Sequence, residues 1–245
     1  MKEVIEKTKT DIKELALEFG LKYNQKIFRV SIISKKDFVK LIYLLGCPAK
    51  PYVLFGKTIK ERIKNYDEFI CSKEFHKEIK KPSGSVVPKE FCMGVMKRID
   101  DKKLRKEFKK IIGKLRLNNS VPTTVITKST NKREKKLFST IVFHEWIHVL
   151  LHHNNIFFQK IKSNYWNFDE GLTEYLQLFL KSKNKDFEKR IKIKMKNTGK
   201  IRKSDKYIEH VFKKLSYWNK ILRDKRSPED RYKSVLNVMR RMKSI

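Results

Sequence analysis

Two histidines and a glutamate stand within one uncharged stretch of the chain, His144-Glu145-Trp146-Ile147-His148. On a helix, residues four apart lie on one face, so His144 and His148 can present two imidazoles to one cation. Glu145 lies at the edge of that face, where it can reach a water bound to the metal instead of the metal itself. The spacing therefore predicts a zinc site with a glutamate base beside it.

The composition around this motif favours a functional interpretation. The chain has 60 Lys and Arg residues, yet none of them falls between Phe138 and His153. A buried helix with two histidines and a glutamate must satisfy those polar groups, because burying them without partners is costly. Metal coordination satisfies them. A core helix with incidental histidines is the alternative.

Two histidines alone make a weak site, because catalytic zinc usually has three protein ligands and an open position for water. The residue six positions after His148 is Asn154, which excludes a third histidine at that spacing. His152 and His153 lie on the same straight helix and cannot converge well on one ion with the first pair. We interpret them as flanking residues.

A second motif offers an acidic ligand: Asp169-Glu170-Gly171-Leu172-Thr173-Glu174-Tyr175. Glu170 follows His148 after a 21-residue spacer, and the loop at the start of that spacer can reverse the chain so that two helices face one another. Glu170 and Glu174 are four residues apart and share a helical face. One of them can bind the metal while the other accepts the N–H of a ligand imidazole and fixes its tautomer.

The hydrophobic pattern indicates the elements that must position these groups. It predicts an α+β, mainly helical protein with one small sheet, mainly antiparallel, over the motif helix. We expect an N-terminal lobe at 1–153 and a helical lobe at 154–245 that supplies the third ligand. The expected strands are 26–33, 52–55 and 121–127; the expected helices are 4–19, 35–45, 60–79, 89–117 with a break near Gly94 or Asp100-Asp101, one ending near His153, and 169–181.

Taken together, the two motifs resemble those of the gluzincin metallopeptidases, closest to M1-type aminopeptidase catalytic domains and small archaeal minigluzincins. The resemblance covers roughly residues 122–180. It implies a zincin-like fold, one Zn²⁺ ion held by His144, His148 and Glu170, and Glu145 as general base and acid. It also implies that Glu174 hydrogen-bonds a ligand histidine.

The same resemblance leaves several points open. It implies that strand 121–127 is the edge strand that aligns a peptide substrate. The Gly-x-Met-Glu-Asn motif of the aminopeptidases is absent, so exopeptidase and endopeptidase action both stay open, as does the oligomeric state. Helices 60–117 either pack behind the sheet or cover the cleft as a propeptide does. The candidates for the group that stabilises the oxyanion are Tyr165, Tyr207, His210 and Tyr217.

These observations predict a zinc-dependent metallopeptidase acting on peptides or proteins. The alternatives are a zincin-like protease of nucleic-acid-associated proteins and a catalytically inactive zinc-binding interaction module. The net charge of +33, carried by 47 Lys and 13 Arg, indicates non-specific affinity for polyanions and no specific nucleic-acid partner. The chain has three cysteines without a CxxC pair, and we find no secretory segment or membrane-spanning stretch. We therefore expect a cytoplasmic protein.

Overall fold

The computed structural model of the protein describes residues 2–46, 54–117 and 122–154, together with Thr173, Leu176 and Gln177. This part of the chain is mainly helical, with one small sheet, as expected of the α+β class. Its helices are α1 (Lys2–Glu18), α2 (Lys35–Leu45), α3 (Ile59–Lys64), α4 (Tyr66–Cys71), α5 (Lys73–Glu78), α6 (Lys89–Arg98), α7 (Lys102–Gly113) and α8 (Lys132–His153); its strands are β1 (Val30–Ile33), β2 (Gly84–Val87) and β3 (Thr123–Thr127).

The chain divides into two compact units. One is continuous, Lys26–Glu145, and the other joins Met1–Gln25 to Trp146–Ile245. The division falls inside α8, which is one uninterrupted helix. The expected lobes at 1–153 and 154–245 stay a prediction, since most of the second lies outside the described residues.

The sheet lies in the Lys26–Glu145 unit and has the order β1-β3-β2. Strand β1 pairs with β3 in parallel, with Val30 opposite Thr124, and β2 pairs with β3 antiparallel, with Gly84 opposite Ile126. The sheet is therefore mixed, and the prediction of a mainly antiparallel sheet was wrong. The helices between β1 and β3 supply the long crossover that a parallel pair requires.

Strand β3 is the central strand of this sheet, so the expectation that 121–127 forms its edge was also wrong. All five of its residues are buried. Pro122 is typical of an edge strand, but it lies just before β3, where it removes no hydrogen bond from the ladder. Among the described strands, the antiparallel edge is β2, which follows the Pro82-Ser83 break and was not predicted.

Local capping explains where several helices begin and end. The Ser34 hydroxyl accepts the backbone N–H of Asp37 at the start of α2, and Gly46 ends that helix with a φ of 85°. The expected single helix at 60–79 is three short helices. Asn65 separates α3 from α4, and Ser72 separates α4 from α5, which it caps by accepting the N–H of Phe75. In the expected helix 89–117 the break falls at Asp100-Asp101. The Asp101 carboxylate caps the helix that follows, α7, by accepting the N–H of Leu104.

One hydrophobic core joins the helices of this unit to its sheet. Tyr43 of α2 stacks on Phe69 of α4 with ring centroids 3.9 Å apart, and Phe75 meets Phe69 edge to face. Ile33 of β1 and Val125 of β3 belong to the same core. The helices between residues 59 and 113 thus pack with the sheet as part of its core, which favours the first of the two interpretations offered for them.

The other unit is described at α1 and at the last turns of α8. Helix α1 buries one face, including Ile12, Leu15 and Ala16, and Gly20 with a φ of 62° follows it. Within the described residues, no helix combines the length and the apolar character needed to cross a membrane. Of the cysteines, Cys71 is an exposed free thiol and Cys92 a buried one, while Cys47 lies outside the described residues.

Candidate functional site

Helix α8 carries the His-Glu-x-x-His motif, and its first turn is held by polar contacts. The side chain of Asn131 accepts the N–H of Glu134, as an N-cap residue does. The Glu134 carboxylate in turn accepts the N–H of Thr130 at 2.7 Å and its hydroxyl at 2.9 Å. The same carboxylate pairs with the ammonium of Lys35 in the first turn of α2. The start of the motif helix is therefore tied to the element that follows β1.

These contacts also fix the charge of Glu134. The hydrogen bond from Lys35, followed by those from Thr130, lowers the pKa of Glu134 to about 2. The carboxylate is ionised throughout the neutral range, and it lies near the helix N-terminus, where the helix dipole favours negative charge. The first turn of α8 is thus stabilised by a permanent charge.

The other end of α8 is held by Asn154, which is almost fully buried. Its side-chain oxygen accepts the N–H of Lys22 at 2.7 Å, and its side-chain N–H₂ donates to the carbonyls of Lys22 at 3.0 Å and Leu150 at 2.9 Å. Asn154 thus caps the helix and joins it to the segment after α1. The sequence had indicated Asn154 as the start of a loop and as a position without histidine, but not as a cap.

The middle of α8 is a core helix. From Val142 to Leu151 every residue is buried except His144, which is half-buried. Glu145 is 9% exposed and His148 is 4% exposed. A helix that is apolar nearly all round is usually entirely interior, so Glu145 and His148 are polar groups held inside the protein. His152 and His153 are both half-buried at the end of the same helix.

Strand β2 approaches α8 at Glu145. A Cβ atom added to Gly84, the first residue of β2, meets the Cγ2 atom of Ile141 at 2.6 Å and the Cγ atom of Glu145 at 2.9 Å. The Cδ1 atom of Ile126, the β3 partner of Gly84, lies 2.7 Å from the same point. Glycine at this position therefore lets the edge strand lie directly against the side chain of the predicted base.

The second motif reaches His148 through Thr173. The Thr173 hydroxyl oxygen lies 3.1 Å from Nδ1 of His148, and both side chains are buried. Thr173, Leu176 and Gln177 are helical and buried, at the spacing that places them on one helical face. A residue three positions after Glu170 in the sequence thus contacts the second histidine of the first motif.

The predicted site residues fall into two groups. His144, Glu145 and His148 lie on α8 as expected, on adjacent turns of one continuous helix. Among the residues that the structure describes, no group of three His, Cys, Asp or Glu side chains is arranged to hold a metal ion. The remaining predicted residues lie outside this part of the chain: Glu170, Glu174, Tyr165, Tyr207, His210 and Tyr217.

Two residues at this site were missed by sequence analysis. Thr173 lies inside the second motif, between the ionisable side chains of Glu170 and Glu174 that defined it. The available signal was its place one helical turn after Glu170. Gly84 follows Pro82-Ser83, a sequence typical of a turn, and a short Gly-Ser-Val-Val segment gives little sign that its first residue approaches a distant helix.

Comparison with known proteins adds no relative to these observations. No family model matches the chain, and no curated protein or solved structure matches it.

Proposed function

We propose that this protein is a zinc metallopeptidase that hydrolyses peptide bonds. The observation that carries the proposal is the 3.1 Å contact between Thr173 and Nδ1 of His148. It joins the two motifs that were selected for their chemistry, through residues that lie 25 positions apart in the sequence. In the predicted helix 169–181, Glu170 precedes Thr173 by three residues and shares its face. The contact therefore supports Glu170 as the third ligand.

The donor set suits zinc. Two imidazoles and one carboxylate are a common catalytic zinc set, which keeps a fourth position open. When Nδ1 of His148 is protonated and donates to the Thr173 hydroxyl oxygen, Nε2 is the nitrogen that presents a lone pair to a metal. His144, four residues earlier on the same helix, supplies the second nitrogen. A zinc ion held by His144, His148 and Glu170 would supply Lewis acidity, polarising the scissile carbonyl and lowering the pKa of a water molecule towards neutrality.

The protein's own contribution to the reaction is proton transfer by Glu145. Its carboxylate takes the proton of the attacking water and delivers it to the nitrogen of the departing amine. Burial in a core helix and the contact with β2 hold this side chain at one place. Tyr165, Tyr207, His210 and Tyr217 stay candidates for the group that stabilises the oxyanion.

The decisive experiment compares Glu145→Gln with the wild-type protein. We expect the variant to bind zinc as the wild type does and to lose hydrolysis of a peptide library, read by mass spectrometry, by about 10²-fold or more, since general acid–base catalysis contributes about 10²–10⁴. The matched control is Glu90→Gln on the exposed face of α6, which should cleave normally. Cleavage by Glu145→Gln at the wild-type rate contradicts the proposed role, and a zinc-loaded wild type that cleaves no peptide contradicts the proposed function.

A second candidate, a protease of nucleic-acid-associated proteins, is favoured by the charge of α7. Helix α7 carries six Lys or Arg residues and one acid, Glu107, which pairs with Lys40, whereas α1 carries four Lys and five acids. Positive charge is therefore concentrated on some elements and not on others. A helix that contacts several phosphates gives a steep salt dependence, with a slope of about −0.9 for each phosphate neutralised on duplex DNA.

The salt slope for DNA binding separates the two candidates. Substituting Lys109 and Lys110 of α7 with glutamine should lower this slope, while substituting Lys7 and Lys9 of α1 should leave it unchanged. Equal effects of the two pairs indicate binding through overall charge alone, and the second candidate then fails.

A further inference from the structure

We infer that Gly84 is a positioning residue for Glu145: its missing side chain leaves room for the Cγ atom of Glu145, and the place of that atom sets where the carboxylate lies for proton transfer. The inference rests on the proposed function, because it assigns a catalytic purpose to the place that Glu145 occupies. It names a residue outside both sequence motifs, on the edge strand β2.

The requirement for glycine at residue 84 is steric. Gly20, Gly46 and Gly56 are the described glycines with positive φ, so Gly84 has a backbone conformation that any residue adopts. There is no space here for a side chain. Three atoms lie within 3.0 Å of the place where its Cβ would be, in Ile141, Ile126 and Glu145.

The strand cannot easily move away to make that room. The residue before Gly84, Ser83, donates its N–H to the Thr127 hydroxyl oxygen at 2.9 Å. The Thr127 hydroxyl donates back to the carbonyl of Ser83 at 3.1 Å, and the N–H of Thr127 donates to the same carbonyl at 2.9 Å. Three hydrogen bonds therefore pin this end of β2 to the central strand, and a new Cβ must be accommodated by the surrounding side chains.

These side chains differ in how they can respond. The blocking atom of Ile126 is the far end of its chain and can turn aside. The blocking atom of Ile141 is attached to a branched β-carbon, and a β-branched residue in a helix has one strongly preferred rotamer. Glu145 is unbranched at its β-carbon, so its χ1 can rotate. Glu145 therefore yields, and its carboxylate moves with the Cγ atom.

The test is Gly84→Ala, with Gly94→Ala as the matched control. A Cβ on Gly94 in α6 meets nothing within 4 Å, so the same substitution there has open space. We expect Gly84→Ala to bind zinc with wild-type affinity and an unchanged KM, and to lower kcat by about 10- to 100-fold, as misplacement of a catalytic group by about 1 Å does. Gly94→Ala should keep the wild-type kcat. A wild-type kcat in Gly84→Ala overturns the inference. Loss of zinc together with activity also overturns it, because Gly84 then maintains the structure of the whole site and does not position Glu145 alone.

A second pair of variants covers the case in which Gly84→Ala does not fold. Ile141→Ala removes the rigid blocking atom, and adding Gly84→Ala to it leaves Glu145 as the main obstruction. The double variant should have a lower kcat than Ile141→Ala alone, and equal values overturn the inference.

The steric claim can also be measured without catalysis. If the Cβ meets the Glu145 side chain, Gly84→Ala destabilises the protein less in a Glu145→Ala background than in the wild type. Gly94→Ala shows no such difference. A wild type that cleaves no peptide refutes the proposed function. The difference in destabilisation between the two backgrounds still decides whether Gly84 makes room for Glu145. Equal destabilisation in both backgrounds overturns the inference.

Discussion

Replacing Thr173 with valine tests the contact on which the proposed function rests. Valine has nearly the shape of threonine but no hydroxyl, so it leaves Nδ1 of His148 facing a methyl group. Thr173 is fully buried and His148 is 4% exposed, so water does not readily replace the lost partner. Leaving a buried polar group unsatisfied costs about 1–3 kcal/mol, and the metal-free protein should lose stability of this order.

The effect on zinc should be as large. Removing a group that hydrogen-bonds a ligand histidine typically weakens metal binding by about 10- to 100-fold, or about 1.4–2.7 kcal/mol. We expect this loss in Thr173→Val when zinc affinity is measured by competition with a chelator. Thr173→Ser keeps the hydroxyl and should retain most of the affinity.

The matched control is Thr8→Val. Thr8 is also buried, and its hydroxyl donates at 2.7 Å to the carbonyl of Val4 within α1, so the same substitution removes a hydrogen bond that involves no histidine. Zinc affinity should be unchanged in this variant. If Thr173→Val binds zinc as tightly as the wild type, or if Thr8→Val weakens binding equally, then Thr173 does not hold a ligand histidine.

Two further predictions concern the ends of α8. The pKa of Glu134 lies at about 2 in the folded protein and near 4.5 when unfolded, so its contribution to stability is complete above about pH 5 and is lost as the pH falls towards 2. The difference in unfolding free energy between wild type and Glu134→Gln, measured with urea, should therefore shrink over that range. A difference that is independent of pH contradicts the assignment. Asn154→Asp removes two donated hydrogen bonds and places a carboxylate against the carbonyls of Lys22 and Leu150; we expect a loss of about 3 kcal/mol or more at neutral pH, and a loss below about 1 kcal/mol in urea unfolding contradicts this role.

Local signals in the sequence identified the elements whose ends are set by nearby residues. Ser34 and Gly46 mark the two ends of α2 because capping depends on residues within a turn of the helix end. The uncharged run before His153 likewise predicted α8, whose burial the structure confirms. The placement of His144, Glu145 and His148 on one helix was predicted for the same reason, since their spacing acts within that helix.

Features set by distant residues were not predictable in this way. Strand β2 forms because β3 lies beside it, and Gly84 pairs with Ile126, 42 positions later. The parallel pairing of β1 with β3 depends on a crossover of some 90 residues that leaves no mark in either strand. Thr173 gains its importance from His148, and nothing about a threonine in a helical pattern reveals the imidazole beside it.

The hydrogen bonds between Lys22 and Asn154 have a consequence for synthesis. They join residues 132 positions apart, and a ribosome adding about 5–20 residues per second needs roughly 7–26 s to cover that distance. During this interval α1 has been synthesised, but the residues around Asn154 have not. The segment from Lys26 to Glu145 is continuous in the sequence and can form its core earlier. The segment after the amino-terminal helix thus waits longer for its partner Asn154 than the strands of the Lys26–Glu145 unit wait for one another.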